Sequence, residues 1–209
     1  MAPLWIWLGA LGFYALFSFW YVNWSGPLTL EEVDGFMDRL EARAEETTPE
    51  RLAVVRRFLE NDDGKEFFMA NLVRLPKEPV ADPNTGELRP APEVLREYTG
   101  PFMRKLFRRA GHPAFFARAA GGYVEHWGVE ADPGWSFVGM IRYRSRRDMA
   151  ELAAHPSFGP IHAYKLVAMT HTLAFPATPG MAFFGPRVWL ALLLGLVAAI
   201  VHILFGARG

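Results

Sequence analysis

The chain has 209 residues, 51% hydrophobic and 14% aromatic, with 22 basic and 22 acidic side chains and a formal net charge of zero. That balance excludes a global field that would recruit nucleic acid, and the lack of cysteine excludes disulfides, thiol nucleophiles and thiolate metal sites. The two ends are nearly free of charge and the middle carries almost all of it, which predicts one ordinary domain between membrane segments.

Residues 4–24 are apolar and uncharged, close to the ~20 residues a transmembrane helix needs. Trp5, Trp7, Trp20, Tyr21 and Trp24 cluster toward the ends of this run, as interfacial aromatics do. A cleaved signal peptide is the alternative; the missing basic n-region and small-x-small site favour a retained span. Residues 29–61 then read as two amphipathic helices. Thr29 with Glu32 forms a capping box ahead of the stripe Leu30, Val33, Phe36, Met37 and Leu40. Thr48-Pro49 restarts the chain for a second stripe, Leu52, Val55, Phe58 and Leu59. The pair is expected to act as a spacer or flap.

Residues 66–75 predict a buried strand with one polar interruption, Asn71. The proline-rich stretch 76–92 predicts a lid or a mobile loop. Residues 93–110 predict a helix interrupted at Gly100-Pro101. Its basic face, Arg104, Lys105, Arg108 and Arg109, is either simply solvated or in contact with anionic lipid headgroups. Residues 116–143 predict an antiparallel hairpin. GGYVEHWG (121–128) lies on the second strand, WSFVGMIRY (135–143) forms the third, and Asp132-Pro133-Gly134 makes the turn. Within the second strand Gly121-Gly122 marks a bulge or a close backbone approach. On the third, Gly139 sits where a bulky side chain would strain the packing and weaken pairing through the sheet. A helix over 146–154, a new helical start at His155-Pro156 and a strand over 171–175 follow. Residues 188–205 are a second apolar run, bounded by Arg187 and Arg208 and containing one His202, with Ala191, Gly195 and Ala199 four apart on a possible packing face.

The predicted fold class is therefore α+β: a β-α-β-β-α-β domain over 66–176, the ferredoxin-like order, with one transmembrane helix on each side. Apolar groups alternate onto both faces of its sheet, so the face without helices needs a partner sheet.

The runs MANLVRL, AAGGYVEHWG, FVGMIRYRSRRDMAEL and HPSF resemble the dimeric α/β-barrel superfamily, and within it an uncharacterised bacterial family of small barrels. The resemblance covers just over half the chain and implies a domain that dimerises through its sheet. Relatives of that superfamily include cofactor-free monooxygenases, isomerases, dehalogenases and heme-degrading monooxygenases; flanking membrane spans depart from its usual soluble members. Asn71 and His162 fall where the heme-degrading branch carries a strand Asn and a heme-ligating His, but Leu152 stands near the place of that branch's tryptophan. No cofactor is expected, and heme is the lesser alternative.

The residues expected to line a ligand pocket between sheet and helices are Asn71, Tyr98, His126 and His162. No metal site is expected: His155 and His162 are seven apart but have neither an HExxH pattern nor a third ligand at short spacing. Glu125 and His126 are adjacent on a predicted strand and would face opposite sides. Neither a nucleophile elbow nor a glycine-rich phosphate loop is present. The function expected is binding of a small apolar ligand, with cofactor-free oxidation or isomerisation as the reaction type. The alternative is a non-catalytic accessory subunit of a membrane complex. Expected partners are membrane lipids and either a second copy or a membrane-protein complex. The membrane is expected to be a bacterial inner membrane with both termini on one side. Arg39, Arg43 and Arg187 on the domain side, against Arg208 beyond it, favour a cytoplasmic domain.

Overall fold

The computed structural model describes residues 4–42, 48–180 and 185–206 and divides into two units, one made of the two chain ends and the other of Ser25–Thr178. The described residues form α1 (Leu4–Tyr21), α2 (Leu30–Glu41), α3 (Pro49–Glu60), β1 (Phe67–Arg74), β2 (Val80–Ala81), β3 (Leu88–Arg89) and α4 (Ala91–Arg108). They continue with β4 (His112–Arg118), β5 (Phe137–Tyr143), α5 (Arg146–Ala153), a 3-10 turn (Pro156–Phe158), α6 (Gly159–Ala168), β6 (His171–Ala177) and α7 (Pro186–Gly206). Arg43 and Arg208, invoked for orientation, lie outside the described residues.

The Ser25–Thr178 unit is α+β, built on a four-stranded antiparallel sheet of order β4-β5-β1-β6. Strand parity decides which side chains meet the helices. Residues 67, 69, 71 and 73 of β1 pair with 143, 141, 139 and 137 of β5, and this face lies under α4, α5 and α6. Phe67, Leu106, Tyr143, Leu152 and Phe158 form its buried core, with the Phe67 and Tyr143 rings stacked 5.2 Å apart. The opposite face carries Phe68, Leu72, Val138, Met140, Leu173 and Phe175. Leu173 and Phe175 stay 50% and 48% exposed there, whereas Ala70 and Arg142 on the same face are buried. Gly139 belongs to the helix side, and a Cβ built on it would meet only Phe115 O and Phe116 Cδ2 at 3.9 and 4.0 Å. A bulky residue at 139 would thus enter the space under the helices rather than disturb the open face.

The helical pair shares a core with the domain. Val33, Phe36, Met37 and Leu59 pack with Ala150 and Ala154. The capping box forms as the sequence predicts: Glu32 N donates to Thr29 Oγ1 at 3.2 Å and Thr29 N to Glu32 Oε2 at 2.8 Å. Arg147 clamps the pair, reaching both Glu32 oxygens at 3.1 and 2.9 Å and the carbonyls of Gly26 and Pro27.

Three expectations are corrected. The chain does not continue as a strand through GGYVEHWG: β4 ends at Arg118, and residues 119–136 form a loop closed by Ala119 N donating to Ser136 O. Asp132 organises that loop, accepting from the backbone N–H of Tyr123 and Gly134 at 3.0 and 2.8 Å. Side-chain capture of backbone donors competes with a strand ladder, and three glycines weaken the strand further. Gly122 serves this approach rather than a bulge, since a Cβ there would lie 2.6 Å from Asp132 Oδ2. Second, α4 runs unbroken through Pro101. Proline removes one helical hydrogen bond, and packing of Val94, Leu95 and Leu106 on either side holds the helix across it. Third, the stretch 76–92 carries a β2-β3 hairpin over 80–89 and ends in the first turn of α4; the hairpin turns around Asp82, which accepts from the N–H of Asn84 and Thr85 and pairs with Arg89 at 2.6 Å. Asn84 ties this hairpin to α6 through the Tyr164 hydroxyl at 2.7 Å.

In the other unit, α1 and α7 are long and apolar enough to cross a membrane, with mean hydropathy 1.4 and 2.7. They pack antiparallel: the Trp5 and Phe205 rings meet at 6.0 Å, and Trp7 Nε1 donates to His202 Nδ1 at 3.3 Å. The buried small residue of α7 is Ala198, whereas a Cβ on Gly195 would meet nothing within 4 Å, so the packing does not use the Ala191–Gly195–Ala199 stripe.

Candidate functional site

Between the sheet and the helices lies a cavity of about 1590 Å³. Its floor is the inner face of β1 and β5, with Met69, Asn71, Gly139 and Ile141. Its walls come from Tyr98 and Phe102 of α4, His162 and Lys165 of α6, and Arg51 and Val55 of α3. It exceeds the roughly 300–1,000 Å³ usual for small-molecule sites, and its lining is mostly apolar carbon.

Three of the four residues expected at a pocket meet here: Asn71, Tyr98 and His162. Asn71 donates through Nδ2 to Met69 O at 2.8 Å and to Gly139 O at 3.5 Å, which fixes the amide across the floor. Tyr98 is the hub of the wall. Its ring lies 5.9 Å from Phe102, 6.0 Å from Phe158 and 6.2 Å from the His162 imidazole, which it meets edge-on. Burial raises the pKa of the Tyr98 phenol, and burial together with Tyr98 raises that of Tyr143, so both stay protonated donors. Neither hydroxyl has a hydrogen-bond partner among the described residues. His126 is not part of this site. It sits in the exposed 119–136 loop with its ring 5.6 Å from Tyr123, because the strand expected to carry it does not form.

The residues that sequence reading missed are cationic. Arg51, Lys77, Arg118 and Lys165 all line the cavity, together with Tyr143. Lys165 carried a legible signal: it follows His162 by three positions, one turn along the same face of α6.

The basic face of α4 is partly engaged within the protein. Lys105 Nζ lies 3.2 Å from His155 Nε2, and Arg109 pairs with Glu151 at 3.3 Å, whereas Arg104 and Arg108 are exposed. His155 caps the 3-10 turn, its Nδ1 accepting from Ser157 N at 3.1 Å, and does not line the cavity that His162 lines. Among the described residues no group of three His, Asp or Glu side chains is placed to hold a metal. Leu152 is buried in the core at the cavity's edge.

No family model matches the chain, and no curated protein matches it. Its fold is similar to that of RPA0582, a protein of unknown function from Rhodopseudomonas palustris, with TM-score 0.52 and 20% identity over 66% of this chain and 97% of that one. A structure of methylated RPA0582 matches with TM-score 0.49 and 22% identity over 65% of this chain and 96% of that one. At3g17210 from Arabidopsis thaliana matches with TM-score 0.33 and 14% identity over 56% of this chain and 99% of that one. At 20% identity the first likeness speaks to the fold alone: a sheet with helices packed on it.

Proposed function

We propose that this chain is a membrane-anchored protein whose Ser25–Thr178 domain binds a small, largely apolar ligand between its sheet and helices. The observation that carries the reading is the apolar cavity, lined by Tyr98 and Tyr143 and by His162 and Lys165 of α6. The strand order β4-β5-β1-β6 with helices on one face supports the ferredoxin-like arrangement. The open apolar face, with Phe115, Leu173 and Phe175 about half exposed, supports pairing of two copies through their sheets as in a dimeric α/β-barrel. Two exposed apolar helices support anchoring, in a bacterial inner membrane with the domain cytoplasmic on the charge argument. The reaction type this pocket suits is a cofactor-free oxidation or isomerisation of a hydrophobic substrate, with His162 as the imidazole on its wall. An accessory subunit without chemistry is the rival, in which the open sheet face docks on another protein.

The test is mass spectrometry of small molecules extracted from the purified full-length chain, beside a Gly139→Trp variant. Tryptophan at 139 has room to enter the cavity and should remove a co-purifying apolar molecule while leaving the protein folded. An identical extract from both proteins, with no molecule enriched over an unrelated membrane protein, would sink the ligand-binding reading.

A further inference from the structure

We infer that the ligand of this cavity is an apolar molecule ending in one carboxylate, a fatty or aryl acid whose anion is met by Lys165 and Arg51 while its body lies along the sheet. The inference rests on the ligand-binding reading and sharpens it. Four cations line the cavity, Arg51, Lys77, Arg118 and Lys165, and among the described residues no carboxylate lines it or pairs with any of them. Several arginines elsewhere in the same domain are handled differently. Arg56, Arg89, Arg142, Arg144 and Arg147 each hold a carboxylate at 2.5–2.9 Å.

Lys165 is the sharpest case. It is partly buried, and its Nζ stands 5.6 Å from the Tyr98 ring centroid, a cation–π distance. Burial first, and the Arg51 cation second, lower the pKa of its ammonium below the usual lysine range. A desolvated cation facing another cation is unfavourable until an anion arrives. An incoming carboxylate would supply the missing charge through short charge-assisted hydrogen bonds, and a cationic cleft with apolar walls concentrates anions at its mouth. Arg51 occupies the first turn of α3 and is exposed, which places it at the solvent side. Tyr98, whose ring Lys165 faces, stays protonated and can act as a neutral donor. The remaining walls are apolar, so only one end of the ligand is anionic.

The experiment uses the full-length chain in nanodiscs of zwitterionic lipid, titrated calorimetrically with 2-naphthoate, 2-naphthalenemethanol and 2-naphthylmethylammonium, with empty discs subtracted. These probes share one apolar body and differ in the charge of the head. The acid should bind at least tenfold tighter than the alcohol, and the ammonium weakest. Lys165→Met should weaken the acid about tenfold and leave the alcohol within twofold, and Lys165→Arg should restore the acid. Arg51→Gln, at an exposed position, gives the same contrast more weakly and serves if Lys165→Met folds poorly. Equal binding of acid and alcohol, or an acid affinity indifferent to both variants, overturns the inference and leaves the ligand-binding reading standing. Failure of all three probes to bind above empty discs overturns both.

Discussion

Two regions of one domain treat the same kind of side chain in opposite ways. Along the seam where β5 and α5 meet the helical pair, every arginine of the Arg142–Arg147 run is matched. Arg142 holds Glu66 and the Ala110 carbonyl, Arg144 holds Asp148, Arg146 reaches Asp62 and the Phe58 carbonyl, and Arg147 clamps Glu32. In the cavity, four cations stand without a carboxylate among the described residues. The seam uses charge to fix geometry, because each guanidinium fork reaches backbone carbonyls or both oxygens of a carboxylate. Of the four cavity cations, Arg51, Lys77 and Arg118 are exposed and Lys165 alone is partly buried, so the cost of holding a charge away from water falls on Lys165.

That contrast can be broken first at its strongest point. Arg142 is 2% exposed, and Arg142→Met should destabilise the domain by about 2–4 kcal/mol, since it leaves the buried Ala110 carbonyl without its donor. Chemical denaturation of the full chain measures this; a loss under ~0.5 kcal/mol would mean the seam is ornamental. Lys165→Met should go the other way and raise stability by about 1 kcal/mol, because an unmatched cation gives way to an apolar chain of similar shape. A loss of stability instead would show that Lys165 has a structural partner.

A smaller effect is a pH window at Glu32. The Arg147 guanidinium, and then the Thr29 N–H, hold its carboxyl down to about 2. Its folded pKa lies below the unfolded value of 4.5, so its contribution is complete above pH 4.5 and fades as pH falls toward 2. Glu32 is exposed enough for solvent screening to keep the contribution at about 1 kcal/mol or less. Glu32→Gln should flatten the decline in stability across that window; an unchanged profile would place the acid sensitivity elsewhere. The smallest expected effect concerns heme. Hemin should give no Soret band above that of unrelated membrane proteins, and a band abolished by His162→Ala would reverse this expectation.

Much of the scaffold was legible because its signals are local. The capping box at Thr29 and Glu32, the helix over 146–154 and the Pro156 restart are written in neighbouring residues, and β1 forms within the predicted stretch. Placing Asn71 and His162 on one cavity followed from the resemblance. His126 failed because its placement assumed a strand, and the competing Asp132 contacts span nine residues of loop. The pairing state of a cation is not local at all: Arg147 meets a carboxylate 115 positions away, while Lys165 meets none among the described residues. Composition records both simply as basic.

The most direct measurement is the melting temperature of the wild-type chain and of Lys165→Met, each with and without 2-naphthoate at about 100 times its dissociation constant for the wild type. A ligand bound only by the folded state stabilises it by ~2.7 kcal/mol at that excess, a rise of about 5–10 °C for a protein of this size. The wild type should show that rise, and Lys165→Met, starting from a higher melting temperature, should show about half of it or less. Equal shifts in the two proteins, or none in either, would contradict the claim that the unmatched cations of the cavity are reserved for an anionic ligand.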